Sequence, residues 1–533
     1  MTRRHLGVCY YPEHWPEESW AEDARQMAAI GLKYVRIGEF AWSRLEPRPG
    51  RHDLDWLARA IDILHGAGLK LILGTPTAAP PKWLVDAMPD MLPVDAAGRR
   101  LQFGSRRHYC FSHLGYRQEC ARIVTALAER FGQHPGVAAW QLDNEYGCHN
   151  TTLSYSEAAR AAFRHWLARR YGAPEALNRA WGNVFWSMEY GDFAEIELPS
   201  LTPAEANPAH RLDFRRFSSD QVASFNRLQA DILRRLSPGR ALIHNFMGRS
   251  TAFDHFALGA DLDISSWDSY PLGFLEGAAG RPEDWQRRFA RAGDPDFQAF
   301  HHDLYRATSG GRWWVMEQQP GPVNWGRHNP VPRAGMVRLW TWEALAHGAE
   351  TVSYFRWRQA PFGQEQMHSG LLRPDSSRAE GFHEVAHVAR EMAAIDLPGP
   401  GEAPVGIVFD CESTWAWEIQ PQGAEFSYFR LVFELYRVLR RLGLDVDFLP
   451  PTARSFGGRR LVLIPALFAW TEALREAIGA FQGLTLIGPR SGSKRRDFAI
   501  PPSLPPDLPE LLPATVLRVE SLRGDMPIQV PGG

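Results

Sequence analysis

Along roughly its first 390 residues the chain alternates short apolar runs with stretches whose apolar positions recur at helical spacing, and nowhere places several strand-like runs in succession. The runs lie at 7–11 (GVCYY), 34–40 (YVRIGEF), 70–76 (KLILGTP), 137–145 (VAAWQLDNE), 241–247 (ALIHNFM), 262–270 (LDISSWDSY), 312–318 (RWWVMEQ) and 351–357 (TVSYFRW). Between them, Gly31 and Gly68 punctuate helix-to-strand passages that read alike, "AIGLKYVRI" and "GAGLKLILG". Eight β-like runs joined by helices predict an α/β fold of the (β/α)8 TIM-barrel kind.

Polar residues then break the pattern at one place in each unit. Glu39, Asn144 with Glu145, Asn245, Asp268 with Tyr270, Glu317 and Arg356 all fall where a run ends. In such a barrel those ends form the mouth where active sites are built. The long stretch 146–235 carries helical patterns and is expected to wall one side of that mouth. "LPGPG" (397–401) reads as a linker, dividing a barrel at 1–397 from a smaller α/β domain at 398–533. The pattern of the second domain suggests a flavodoxin-like sheet, and without a Gly-rich phosphate loop it predicts no cofactor. The end, "IQVPGG", reads as an unfinished strand, so the domain looks truncated.

Composition narrows the partners. Hydrophobic content of 44% and charged content of 23% belong to a globular chain. A net charge of -2 argues against nucleic acid and against an anionic membrane. No apolar run approaches the length of a membrane span or a signal peptide, which predicts a cytoplasmic protein. Five cysteines without a CxxC pair predict no disulfide framework. Twenty tryptophans exceed what core packing needs, and indole faces stack on sugar rings.

Two carboxylates at the mouths of strands four and seven, Glu145 and Glu317, fit glycoside hydrolysis. One protonates the leaving oxygen while the other attacks the anomeric carbon or activates water. Glu39 is the rival, read as structural. His301 and His302 with Asp303 invite a metal reading, but adjacent helical residues point apart, so solvated or capping roles are expected.

"GVCYYPEHW", "RIGEFAWSRLEP", "GTPTAAPPKWL", "RRHYC", "WQLDNEYGCH", "WDSYP", "MEQQPGPVNW" and "MHSGLL" together resemble the β-galactosidases of glycoside hydrolase family 42. The resemblance implies a retaining exo-acting enzyme on short β-galactosides, with Glu145 as general acid/base and Glu317 as nucleophile. It further implies a galactose subsite of Arg106, Asn144, Trp186, Tyr270, Trp325, Phe355, Glu365 and His368. In that reading Asn144 holds the 2-hydroxyl, Arg106 helps keep Glu317 ionised, and Glu365 and His368 clamp the 4-hydroxyl region. α-L-Arabinopyranosides or β-D-fucosides, or a catalytically impaired sugar-binding protein, remain the alternatives. Many relatives hold a structural zinc on four cysteines; here the matching positions are Cys110, Ser154, Ser156 and Ala159, so no metal is expected. The family's homotrimer forms largely through the second domain, and the short C-terminus weakens that inference. Asp143 is expected to bond neighbouring strand ends.

Overall fold

The computed structural model describes residues 4–399, 401–511, 515–523 and 526. The terminal "IQVPGG" therefore lies outside the described residues, as does Pro400 of the linker. Eight parallel strands close into a barrel in sequence order: β1 (His5–Cys9), β2 (Leu32–Ile37), β3 (Lys70–Gly74), β4 (Val137–Gln141), β5 (Ala241–Met247), β6 (Ile264–Ser269), β7 (Trp313–Gln318) and β8 (Thr351–Tyr354). The ring shuts where β1 pairs with β8, Leu6 opposite Val352.

Helical spacing produces the outer layer. Helix Asp55–Gly66 buries Trp56, Leu57, Ala60, Ile61 and Leu64, one stripe at i, i+1, i+4, i+5 and i+8, against the sheet. Gly68 then turns the chain into β3 at φ +87, a left-handed conformation that side chains disfavour. Ile72, Ala139, Ile243, Ile264, Trp314 and Met316 fill the barrel interior.

Several strands end earlier than the hydrophobic pattern suggested. β4 stops at Gln141, so Asp143 to Glu145 occupy a tight turn beyond it rather than the strand. The pattern misleads here because Leu142 continues the apolar run and is itself buried. His301, His302 and Asp303 are not solvated, as their spacing on a polar-looking helix had suggested; all three are buried. His301 Nε2 accepts the Arg249 amide at 2.7 Å, the Trp267 indole donates to His302 at 3.2 Å, and Asp303 pairs with His347 at 2.8 Å. Helix Pro295–Thr308 packs on β6 with almost every side chain enclosed, so its polar residues bond inward.

The chain forms two compact units that interleave along the sequence, Met1–Ala159 with Ser219–Gly401, and Arg160–Ser218 with Glu402–Gly533. The stretch 160–218 thus belongs with the C-terminal unit. Within that unit Arg216 bonds Asp213 at 2.8 Å, the Glu412 carboxylate at 2.6 Å and the Arg496 carbonyl at 2.7 Å. Its sheet comprises β9 (Val405–Val408), β10 (Val446–Leu449), β11 (Leu461–Ile464) and β12 (Leu484–Ile487), all parallel in the order β10-β9-β11-β12. That is the order of a doubly wound, flavodoxin-like sheet. The helix after β9 begins at Asp410, whose carboxylate accepts the amides of Glu412 and Ser413. An acidic cap occupies the position where a phosphate-binding loop would present free amides.

Candidate active site

The mouth of the barrel is built on strained backbone. Asp143 and Glu145 adopt left-handed φ of 51° and 49°, with Gly147 and His149 following at 82° and 59°. Non-glycine residues rarely sit there, and such conformations gather at functional sites where surrounding bonds hold them. Asp143 supplies those bonds. Its Oδ1 pairs with Arg107 at 2.6 Å, and its Oδ2 accepts from Thr77 at 2.7 Å and Tyr109 at 3.0 Å. The turn after β4 is thereby pinned to the loop after β3.

Glu145 and Glu317 meet through one residue. The Asn245 carbonyl, on β5, accepts the Glu145 amide at 3.0 Å, while its side-chain amide donates to Glu317 Oε1 at 2.9 Å. Glu317, next to last on β7, also receives the Tyr270 hydroxyl at 2.5 Å and the Arg36 guanidinium at 2.8 Å. Two neutral donors and one cation stabilise negative charge on that carboxylate. Glu145 is paired differently. Its carboxylate faces Arg106 at 2.8 Å, and the Asp268 carboxyl lies within hydrogen-bond contact of it.

Arg106 therefore serves Glu145 directly, and the cation bonded to Glu317 is Arg36. Arg36 is fully buried in the barrel, reaching Glu39 at 2.9 Å, the Tyr11 hydroxyl at 3.1 Å and Gln141 at 3.1 Å as well. Glu39, bonded to Arg36 and to Tyr11 at 2.7 Å, is wholly enclosed. Its place depends on Gly74, where a Cβ would come within 2.5 Å of Glu39 Cβ. Reading the sequence missed Arg36 and Tyr11. The available signal was a lone cation in the strand "YVRIGEF", where the flanking Val35 and Ile37 alternate to the opposite face.

Asn144 accepts at Oδ1 from Gln141, Arg36 and Asn245 at 2.9, 3.3 and 3.2 Å. Its buried Nδ2 has no partner, leaving an oriented donor for a ligand hydroxyl. The aromatic wall is Tyr270, Trp325 and Phe355. Trp325 stands edge-on to Tyr270 at 5.5 Å with its indole half exposed, and Phe355 lies 6.4 Å from the Tyr270 ring. His368 packs edge-on against Phe355 at 4.9 Å and against Tyr270 at 5.5 Å. Burial pushes the imidazole down to about 4, so it is neutral at ordinary pH. Its amide bonds the Glu365 carbonyl at 2.9 Å, which fixes the loop carrying both residues. Trp186 is the remaining subsite residue expected from the resemblance. It belongs to the second unit, where it is 75% exposed at φ 62.

The four positions expected to match a zinc site do come together, but as a thiol, two hydroxyls and an alanine. Ser156 donates to Cys110 Sγ at 3.3 Å, Ser154 donates to Ser156 Oγ at 3.1 Å, and the Ala159 amide bonds Ser156 Oγ at 3.3 Å. One thiol with two hydroxyls is a poor donor set for a tetrahedral zinc, and the hydrogen-bond chain already satisfies it. Among the described residues, no group of three or more His, Cys, Asp or Glu is arranged to hold a metal. No described helix is long and apolar enough to cross a membrane.

Comparison with known proteins accords with this geometry. Residues 9–395 match the family described as beta-galactosidase, and residues 403–532 match the beta-galactosidase trimerisation domain. A beta-galactosidase of Thermus thermophilus is 61% identical over 518 residues, covering 97% of this chain and 80% of that protein. Beta-galactosidase Bga of Halorubrum lacusprofundi is 46% identical, covering 97% and 74%. The crystal structure of beta-galactosidase from the psychrophilic Marinomonas ef1 superposes with a TM-score of 0.96 at 56% identity, covering 98% of this chain and 81% of that one. With most of its length matched in this way, and its two glutamates set at the mouth of an eight-stranded barrel, the chain belongs to glycoside hydrolase family 42, the beta-galactosidases.

Proposed function

We propose that the protein is a retaining exo-β-galactosidase in which Glu317 is the nucleophile and Glu145 the general acid/base. The observation that carries the assignment is the unequal pairing of the two glutamates. Glu317 receives Arg36, Asn245 and Tyr270, a set suited to a resident anion. Glu145 has Arg106 and a second carboxyl beside it, a setting in which a proton can be held and released.

In the first step Glu317 attacks the anomeric carbon as Glu145 gives its proton to the departing oxygen. The product is a galactosyl ester on Glu317. In the second step Glu145, now a carboxylate, takes a proton from water as that water attacks the same carbon. Two displacements at one carbon return the β configuration. Asn144 Nδ2, without a protein partner, donates to the 2-hydroxyl, a bond that strengthens as the transition state gains oxocarbenium character. Trp325 and Phe355 offer apolar faces to the ring, while Glu365 and the neutral His368 meet its polar edge. The enzyme acts on terminal galactosyl groups of short galactosides in the cytoplasm. It assembles as a homotrimer through residues 403–532, consistent with the domain these match.

The test is hydrolysis of nitrophenyl β-galactoside by the wild type and by Glu317→Ala and Glu145→Ala. Loss of about 10³-fold or more is expected for Glu317→Ala. External azide is expected to rescue Glu145→Ala and yield β-galactosyl azide. Rescue of Glu317→Ala with an α-azide product completes the assignment, and the opposite pattern of products reverses it.

A further inference from the structure

A third carboxyl is buried among the catalytic groups, and the mechanism above leaves it without a task. Asp268 is the next-to-last residue of β6 and stands in register with Glu317 on β7. It is 4% exposed. Its Oδ1 accepts the Gly248 amide at 3.1 Å, and its carboxyl is in hydrogen-bond contact with Glu145. Two carboxyl groups make that contact only with a proton between them.

Glu145 as the acid carries a proton of its own, and the surroundings decide whether Asp268 carries a second. From the turn after β4, Asp268 is faced by Glu145 and Cys148; from β7 by Glu317; and from the end of its own strand by Tyr270. The nearby cations are engaged elsewhere, Arg106 with Glu145 and Arg36 with Glu317 and Glu39. His301, which bonds the amide of the neighbouring Arg249, is pushed down to about 3 by burial and carries no charge. An anion at Asp268 would be enclosed beside the Glu317 carboxylate, and beside that of Glu145 once its proton has left, with backbone amides as compensation.

We propose that Asp268 is a positioning residue that remains a neutral carboxylic acid and donates a hydrogen bond to Glu145 through both steps of the reaction. Burial, with the Glu145 and Glu317 charges added, holds its carboxyl well above the usual range, in agreement. When Glu145 releases its proton to the leaving group, the Asp268 hydroxyl stabilises the carboxylate that forms. When Glu145 recovers a proton from water, Asp268 keeps its own. The bond thus strengthens Glu145 as an acid and fixes its rotamer on the strained turn. The inference rests on Glu145 being the acid/base.

Asp268→Asn and Asp268→Ala test it, with kcat/KM followed against pH on two galactosides. One has a dinitrophenyl leaving group that departs without a proton, and the other is methyl β-galactoside, which needs one. Asn retains a neutral donor, so its rates should stay within about threefold of wild type, with the basic limb unmoved. Ala removes the donor to the Glu145 carboxylate. Its rate on methyl galactoside should fall about tenfold or more, with a far smaller loss on the dinitrophenyl compound and the basic limb displaced upward.

A basic limb that moves downward in both variants would mean that Asp268 is anionic, and the proposal fails. An equal loss on both substrates with an unmoved limb would reduce the residue to packing, and it fails again. If Asp268→Ala does not fold, the Asn profile alone decides between neutral and charged. Glu145→Ala run in parallel separates the two claims, since full activity on methyl galactoside there would remove the acid/base reading whatever Asp268 does.

Discussion

Arg36 and Glu317 face each other at 2.8 Å inside the barrel, on β2 and β7, with neither in open contact with solvent. The guanidinium reaches Glu39 at the same time, so one buried cation holds two buried carboxylates. Removing it outright would strand both charges, at a cost of about 3–5 kcal/mol in stability. Arg36→Lys keeps the charge but loses the fork that spans Glu39, Glu317 and Gln141. For this variant kcat should fall by about tenfold to a hundredfold with KM little changed, because the loss concerns the nucleophile's orientation rather than the sugar. Steady-state kinetics beside a thermal melt checks it; an unchanged kcat in a folded variant would show that Arg36 serves the fold alone.

Tyr270 combines a wall and a donor, and the two can be separated. Its ring packs against Trp325, Phe355 and His368, while its hydroxyl bonds Glu317 Oε2 at 2.5 Å. Tyr270→Phe retains the ring. Loss of one charge-assisted bond to the nucleophile predicts a fall in kcat of about tenfold to a hundredfold and an upward shift of the acid limb of kcat/KM. Tyr270→Ala should in addition raise KM by opening the wall. A Phe variant with a wild-type pH profile would mean that the hydroxyl does not stabilise the Glu317 anion.

Periodicity alone located the barrel, because eight apolar runs separated by helical stripes leave few other architectures. It failed at the end of β4 for a physical reason. Leu142 continues the apolar run although the chain has already left the sheet, and the left-handed φ of Asp143 and Glu145 has no signature in residue type. Glu145, Glu317 and Asn144 were legible since a polar residue ending an apolar run is conspicuous. Arg36 was not, because its partners come from β4 and β7 and from Tyr11 after β1, contacts that only the closed ring creates. Trp186 was carried over from the family resemblance, which does not convey that its backbone belongs with the second unit.

The Cys110, Ser154 and Ser156 chain predicts indifference to chelators. A structural zinc would make thermal stability depend on metal, whereas hydrogen bonds do not. Prolonged incubation with EDTA should leave the melting temperature unchanged, and the purified protein should contain no stoichiometric zinc. Ser156→Ala breaks the bonds to Cys110, Ser154 and the Ala159 amide, and should lower stability by about 1–3 kcal/mol. A drop in melting temperature on chelation would mean that the protein holds a metal despite this donor set.

Glu13 predicts a pH dependence with a definite sign. Its Oε2 is buried without a hydrogen-bond partner, and burial, against a bond from its own backbone and aided by the nearby Glu39 charge, pushes the carboxyl up to about 7 from an ordinary value of 4.5. Between those values the folded chain binds the proton and the unfolded chain releases it. The stability contributed is fully present below pH 4.5, is lost as pH rises toward 7, and stays lost above it. Glu13→Gln is neutral in both states and escapes the loss. Its stability relative to wild type should therefore be flat near pH 4.5, improve as pH rises, and level off above 7 at an advantage of roughly 1–3 kcal/mol. Melting temperatures of the two proteins across that range measure the difference directly, with changes common to both cancelling. An advantage that shrinks as pH rises would mean that the Glu13 carboxylate is held ionised by Arg356 and Arg44 instead.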